Sequence, residues 1–514
     1  MKRKQILCGL AICTGVISAC SDTVKPVSVQ LLQLQPCRVA KVDNEVKCAT
    51  FEVFENRTTG QGRKIALNIV VLPAIARNKE PDPVFFFAGG PGQSAAGLAR
   101  EALAIVGGLN NKRDVVLIDQ RGTGKSNGLN CKVPDATSPE MSDPAKREAS
   151  SRKAIETCRD ELGKKADLGQ YTTTVAMADI DEIRSALGYQ TINLWGGSYG
   201  TRAAMEYLRR YENRVRSVVL DGVAPPSLAL PESFSRDATV VLDKMIAACA
   251  KESQCAKRNA DLKVMLDDLL NQLSRAPRSV NVADPLTGLK RDITITRELL
   301  LTSVFPALYA PEMVAMLPAA LSSAKQGDYV SLLTMGGVFS DFAEKNLARG
   351  MQLSVVCTED VPRVKRGQSQ SPLQPQPFGP LFVDEFSKAC ELWPKGVMPA
   401  DFALPVKSAK PVLILSGGLD PVTPPPYGEV VKQNFSNSLH VIAPNIGHGV
   451  SHHGCGPKLI KKFIETASVA ELDAKCFERM PRPLFFEPLR ERLDTDKDKD
   501  LNKQESAPFV EARK

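Results

Sequence analysis

The chain has 514 residues, 43% of them apolar and 24% charged, with 35 Gly and 36 Pro; this is the make-up of a globular protein and excludes disorder, collagen and coiled coil. Lys and Arg number 66 against 58 Asp and Glu, and the net charge of +8 is spread too thinly for the concentrated basic stripe of a nucleic-acid binder. At roughly 100–200 residues per domain, the length predicts two or three folding units, or one large core with an insertion.

At the N-terminus, Lys2, Arg3 and Lys4 precede an uncharged apolar run over residues 6–19. The run is shorter than the ~20 residues of a membrane-spanning helix, so residues 1–19 read as a secretory signal. Its end, Ile17-Ser18-Ala19-Cys20, resembles the lipobox of bacterial lipoproteins. That resemblance implies an exported chain whose first residue, Cys20, is acylated and tethers it to a bacterial membrane, with Ser21 pointing to the outer membrane in a Gram-negative source. The alternative is a plain cleaved signal in which Cys20 is incidental.

Of 13 cysteines, Cys8, Cys13 and Cys20 belong to this leader and ten remain, an even number that suits an oxidising compartment. Sequence does not determine connectivity. Neighbours along the chain give five local bridges as the expectation: Cys37 with Cys48, Cys131 with Cys158, Cys249 with Cys255, Cys357 with Cys390, and Cys455 with Cys476. The alternative is several free buried thiols.

From Val84 to Ala224, short apolar runs alternate with helical patterns: Val84-Phe85-Phe86-Phe87, Val115-Val116-Leu117-Ile118, Ile192-Asn193-Leu194-Trp195 and Val218-Val219-Leu220-Asp221. Such alternation predicts an α/β fold with a mostly parallel sheet and helices on both faces. Residues 20–228 are the first part of this core. Residues 229–402 lose the strand signal and, with helical spacing over 238–251 and 262–273, read as a mainly helical cap insertion. Strands return at Val412-Leu413-Ile414-Leu415-Ser416 and Leu439-His440-Val441-Ile442, so residues 403–482 complete the core. Residues 483–514 read as a charged peripheral tail.

Within this frame, Gly196-Gly197-Ser198-Tyr199-Gly200 fits GxSxG between a predicted strand and a predicted helix, the setting of a nucleophile elbow. Small residues must flank the serine so that its hydroxyl projects above the sheet, where the helix N-terminus favours negative charge. A serine needs a base. The mature chain offers only His440, His448, His452 and His453; His448, in the glycine-flanked loop Gly447-His448-Gly449 just past a strand, is the choice, while His440 lies within that strand. Asp420 leaves the end of the preceding strand and supplies the acid. The order Ser198, Asp420, His448 is that of an α/β-hydrolase. Two N–H donors must stabilise the oxyanion, and Tyr199 and Gly89, the latter in Ala88-Gly89-Gly90-Pro91-Gly92, fill those places.

Together with Asp119-Gln120-Arg121-Gly122-Thr123-Gly124-Lys125-Ser126 and Asp420-Pro421-Val422-Thr423-Pro424, these segments resemble the prolyl and tripeptidyl aminopeptidase family of α/β-hydrolases, in order from Pro83 to Gly456. Ala88 stands where the prolyl branch has a histidine, which is more like the tripeptidyl branch. The resemblance implies a peptide substrate, with residues released from its N-terminus. In Val356-Cys357-Thr358-Glu359-Asp360 it implies an acidic anchor for the substrate ammonium, at Glu359 or Asp360. A carboxylesterase of the same fold, or a lipoprotein that keeps the fold as a binding module, are the other readings.

No cofactor and no metal are expected. Gly122-Thr123-Gly124-Lys125-Ser126 mimics the end of a phosphate-binding loop, but Asp119 occupies the place of its first glycine. His448, His452, His453 and Cys455 lack a carboxylate to complete a zinc site. In the tail, Asp494, Asp496, Asp498, Asp500 and Glu505 have EF-hand spacing with Lys499 in place of the required glycine, so a solvated tail is expected rather than a calcium loop.

Overall fold

The computed structural model describes residues 31–487 apart from 107, 284–287, 289 and 366–375. Cys20 and the acidic repeat of residues 494–505 lie outside the described residues. The strands, in chain order, are β1 Gln35–Cys37, β2 Val46–Phe54, β3 Lys64–Leu72, β4 Val84–Phe87, β5 Val115–Ile118, β6 Ile192–Gly197, β7 Val215–Asp221, β8 Arg278–Ala283, β9 Lys290–Ile295, β10 Val412–Gly417 and β11 Ser438–Ala443. Nine form one sheet in the order β1-β2-β3-β5-β4-β6-β7-β10-β11, and β8 pairs only with β9. From β5 to β11 in that order the pairing is parallel, while β1, β2 and β3 join antiparallel.

Parallel strands need helical crossovers, and these cover both faces of the sheet. Phe85, Phe87, Leu194, Val218, Leu220 and Ile414 point into one apolar layer; Phe86, Leu117, Trp195, Val219, Leu413 and Leu415 point into the other. Burial on both faces is why these strands read as continuous apolar runs. Each such side chain contributes about 1.5–3 kcal/mol relative to exposure. Helices α1 (Ala99–Ile105), α2 (Pro144–Gly163), α3 (Thr173–Ala186) and α4 (Tyr199–Tyr211) complete the first part of the core.

The insertion holds α5 (Phe234–Lys251), α6 (Ser253–Arg258), α7 (Leu262–Arg275), the β8–β9 hairpin, α8 (Arg297–Ala307), α9 (Pro311–Lys325), α10 (Val330–Asn346), α11 (Arg349–Glu359) and α12 (Leu381–Leu392). It is not a single unit. Residues of α5 to α9 build their own apolar cluster, whereas Met351, Val355 and Val356 of α11 and Phe386 and Ala389 of α12 are packed into the main core beside the sheet. The core then closes with α13 (Pro425–Lys432), α14 (Gly456–Thr466) and α15 (Lys475–Glu478).

Two expectations change. Strands β1 to β3 precede the first one predicted, because their alternating, half-exposed patterns lack the solid apolar runs of the central strands. The segment after Pro483 does not begin as a peripheral tail: Phe485 is only 5% exposed and packs in the cap cluster. Its N–H donates to Glu252 Oε1 at 3.1 Å, and Phe486 N–H donates to the Ala315 carbonyl at 3.0 Å. The five predicted neighbour pairs of cysteines are disulfide-bonded: Cys37–Cys48, Cys131–Cys158, Cys249–Cys255, Cys357–Cys390 and Cys455–Cys476.

Candidate active site

Ser198 stands between the end of β6 and the first residue of α4 with φ 56° and ψ −125°, a region that non-glycine residues rarely occupy and that stores strain at functional positions. The elbow is tight because Gly196, Gly197 and Gly200 have no side chains. A Cβ on Gly196 would lie 2.3 Å from the Gly200 carbonyl oxygen, and one on Gly200 would lie 2.1 Å from that of Phe87. Ser198 N–H donates to the Asp221 carbonyl at 2.8 Å, which fastens the elbow to the end of the neighbouring strand.

The Gly89 loop comes over the serine from the end of β4: a Cβ on Gly89 would sit 3.3 Å from Ser198 Cβ. Gly89 N–H donates to Gln93 Oε1 at 3.2 Å, so a substrate oxygen would take the place of that side-chain carbonyl. The second predicted donor, Tyr199 N–H, opens α4, where no helical carbonyl can reach it. Asp119 holds the loop from below, accepting from Ser94 Oγ at 2.6 Å, Ala96 N–H at 3.0 Å, Asn68 Nδ2 at 2.9 Å and Lys125 N–H at 3.1 Å. The apparent phosphate-loop sequence therefore wraps a carboxylate. Arg121, fully buried, pairs with Asp179 at 2.6 Å and binds the Glu55 carbonyl at 2.7 Å.

Asp420 and His448 meet at the ends of β10 and β11, whose register pairs Gly417 with Ala443. Asp420 Oδ1 accepts from the N–H groups of Val422 at 2.9 Å and Thr423 at 2.8 Å. Oδ2 accepts from Thr423 Oγ1 at 2.7 Å and lies 2.8 Å from His448 Nδ1. That geometry points His448 Nε2 away from the acid and leaves it as the free nitrogen of the ring. A Cβ on Gly222, the residue after β7, would sit 3.2 Å from His448 Cε1. Since Ser198 is bonded to Asp221, serine and imidazole share one stretch of strand ends. Burial acts to lower the His448 pKa, yet the charge and hydrogen bond of Asp420, with help from Asp221, outweigh it and the net shift is upward. Burial likewise opposes ionisation of Asp420, but His448 and the two backbone donors hold its carboxyl below the ordinary range.

One positioning group was missed from sequence. The buried Asp221 carboxylate accepts from Val450 N–H at 2.8 Å and Ser451 N–H at 2.8 Å, which anchors the loop behind His448. Its signal was an aspartate closing an apolar strand. From the cap, the Tyr309 carbonyl accepts His448 N–H at 2.9 Å, and its ring meets the imidazole edge-on with centroids 5.1 Å apart.

The two predicted amine anchors have different surroundings. Both oxygens of Glu359 accept from Thr173, from its N–H at 2.6 Å and its Oγ1 at 2.7 Å. Asp360 Oδ1 accepts from Arg202 at 2.7 Å and Leu230 N–H at 3.1 Å, while its Oδ2 is buried without a partner among the described residues. Among the other sequence candidates, Cys455 is bridged to Cys476, and His440 lies beneath α13, bonded to Glu429 and Ser416. No group of three or more metal-binding side chains occurs among the described residues, and no described helix is long and apolar enough to cross a membrane.

Comparison with known proteins matches residues 82–262 to the alpha/beta hydrolase fold family and residues 374–476 to the TAP-like protein family. The serine protease Hip1 of Mycobacterium tuberculosis is 23% identical over 501 residues, covering 90% of this chain and 94% of that protein. The putative hydrolase YuaR of Escherichia coli is 25% identical over 355 residues, 64% of this chain and 66% of its own. The tripeptidyl aminopeptidase of Streptomyces lividans is 30% identical over 163 residues, 29% of this chain and 30% of its own.

Proposed function

We propose that this chain, a serine-peptidase-type α/β-hydrolase, releases residues or short peptides from the N-termini of peptides through an acyl-enzyme on Ser198. His448 Nε2 takes the Ser198 proton as Oγ attacks the scissile carbonyl. Asp420 holds the imidazole in the tautomer that makes this possible and stabilises the imidazolium that forms. The carbonyl oxygen, now an oxyanion, displaces Gln93 Oε1 and receives the N–H groups of Gly89 and Tyr199. His448 returns the proton to the leaving amine, and water then repeats the sequence on the acyl-enzyme.

The observation that carries this reading is the pair of buried Asp420 and half-buried His448, 2.8 Å apart, at the strand ends that also carry the strained Ser198 elbow. A fluorophosphonate probe should label Ser198, and Ser198→Ala should abolish both labelling and peptide hydrolysis; full hydrolysis by Ser198→Ala would refute the assignment. Release from the N-terminus requires a site for the ammonium group. Glu359 and Asp360 are the candidates: Thr173 takes both oxygens of Glu359, whereas Asp360, paired with Arg202 through Oδ1, keeps an Oδ2 with no hydrogen-bond partner among the described residues, which favours Asp360 as the anchor. N-acetylation should then lower kcat/KM by roughly 10- to 150-fold, the worth of one charge-assisted contact. Equal rates on free and acetylated peptides would instead make the enzyme an endopeptidase or esterase.

The same proposal places the enzyme outside the cytoplasm, held at a membrane by lipid on Cys20; the support is the leader of residues 1–19 and the five disulfides. Labelled palmitate should be incorporated into the wild type and not into Cys20→Ala.

A further inference from the structure

Helix α11 reaches the helices behind the nucleophile elbow through two consecutive carboxylates at its end, Glu359 on α3 and Asp360 on α4. Glu359 is 1% exposed and Asp360 fully buried, and burying a carboxylate is costly unless it is fully hydrogen-bonded. The Glu359 oxygens take the N–H and the hydroxyl of Thr173, at 2.6 and 2.7 Å. Thr173 is the first residue of α3, so the carboxylate also faces the positive end of that helix. Thr173 Oγ1 lies 2.6 Å from the Tyr199 hydroxyl. Burial pushes the Glu359 carboxyl up to about 7; in its ionised form the threonine donates its one hydroxyl proton to Glu359, which leaves the tyrosine as donor in the second bond. All the hydrogens then run one way, from Tyr199 through Thr173 to Glu359, an arrangement in which each bond polarises the next. Arg202, three residues further along α4, is held by Asp360 at 2.7 Å. The end of α11 is therefore linked to the first turn of α4 twice, directly through Asp360 and Arg202 and through Thr173 to the Tyr199 hydroxyl.

We propose that Glu359 is a positioning residue of the Ser198 site, acting through Thr173 and the Tyr199 hydroxyl to fix the head of α4. This inference rests on the assignment of Ser198 as nucleophile and Tyr199 N–H as oxyanion donor. The first residue of α4 supplies that donor, and its side chain is the one the relay holds. Ser198 itself is in a strained conformation that relaxes unless its surroundings hold it. The charged groups around the relay, Arg202 of α4 and Asp360 and Arg363 beside Glu359, pair with one another or, for Arg363, also with the Glu359 carbonyl at 2.6 Å. None of them takes the place of Thr173 at the carboxylate.

Tyr199→Phe, Thr173→Val, Thr173→Ser and Glu359→Gln test the relay in the full-length enzyme. Active-site titration with a fluorophosphonate counts competent molecules, so that every rate refers to folded enzyme. Removing a whole oxyanion donor costs about 10²- to 10³-fold, and misplacing one should cost part of this. Tyr199→Phe and Thr173→Val should each lower the labelling rate and kcat on a simple ester by about 10-fold or more, with KM within about twofold. Affinity for a boronic acid inhibitor, which builds the oxyanion, should fall in step. The double variant should be no worse than the poorer single, Thr173→Ser should restore the rate, and Glu359→Gln should fall with the damaged set. Wild-type kcat and inhibitor affinity in titrated Tyr199→Phe or Glu359→Gln would overturn the proposal, as would losses confined to KM. Absence of labelling at Ser198 in the wild type is a different outcome, because it would overturn the nucleophile assignment on which the relay stands.

Discussion

Two histidines on β11 and the loop beyond it are set in the same chemistry and put to different ends. His448 contacts the carboxylate of Asp420 at 2.8 Å and the hydroxyl of Thr423 at 3.1 Å. His440 contacts the carboxylate of Glu429 at 2.6 Å through Nδ1 and the hydroxyl of Ser416 at 2.9 Å through Nε2. As a list of residue types, the second set is a complete Ser-His-Glu triad. Ser416, however, is fully buried in β10, and the His440 side chain has no exposure. The carboxylates differ as well: the Asp420 side chain is 0% exposed and that of Glu429 is 50% exposed. Water screens the exposed partner, so for His440 burial wins over Glu429 and the pKa falls, whereas around Asp420 the pair wins over burial and the His448 pKa rises. Constellation alone does not make a catalytic triad; access to substrate and a shielded acid do.

The largest difference between the two sets should appear in turnover. Ser198→Ala or His448→Ala should lower kcat by about 10⁴- to 10⁶-fold without unfolding the protein, while Ser416→Ala should keep the kcat of its folded fraction and lose about 1–3 kcal/mol of stability to an unsatisfied buried imidazole. Steady-state kinetics with denaturant titration separates the two. Asp420→Asn should cost about 10⁴-fold by favouring the wrong tautomer, against less than about threefold for Glu429→Gln at a solvent-screened site.

Acidity comes next in size. His448 acts as a base only when neutral, and its raised pKa puts the rising limb of kcat/KM above the ordinary 6.5; Asp420→Asn should move the residual limb downward. The stability contributions run in opposite directions. For His448 the folded pKa is the higher, so its contribution is full below 6.5 and is lost as pH rises through the folded value. For His440 the folded pKa is the lower, so its contribution is present above 6.5 and is lost as pH falls toward the folded value. The smallest effect follows: His440→Gln should flatten the acid side of the stability curve by less than about 1 kcal/mol per pH unit, measured by thermal melts between the two pKa values.

What the sequence made legible was local. The elbow glycines around Ser198, the short motifs that hold Asp420 and His448, and the apolar strands buried on both faces are each written within a few residues, because steric limits at a turn or a sheet act over that distance. The Asp119 motif was visible, though its task of holding the Gly89 loop was not. Contacts between distant segments left no such trace. Asp221 reaches Val450 across 229 residues, and Glu359 reaches Thr173 across 186; nothing in the spacing of either pair marks them as partners. Nor does helical periodicity tell whether α11 belongs to the cap or to the core, since the apolar stripe looks the same against either. Phe485 was hidden by the charged run that follows it in sequence.

The Cys357–Cys390 bridge ties the carboxylate-bearing end of α11 to α12 across a sequence separation of 33. It turns that part of the chain into a covalent ring. A protease cut at any peptide bond inside the ring leaves a protein of undiminished mass on a non-reducing gel, and two fragments appear only when the sample is reduced. Cleavage there also leaves Glu359 and Asp360 covalently attached to both flanking pieces. A nicked preparation would therefore pass as intact in most purification assays, and quality control of this enzyme calls for reducing and non-reducing lanes side by side.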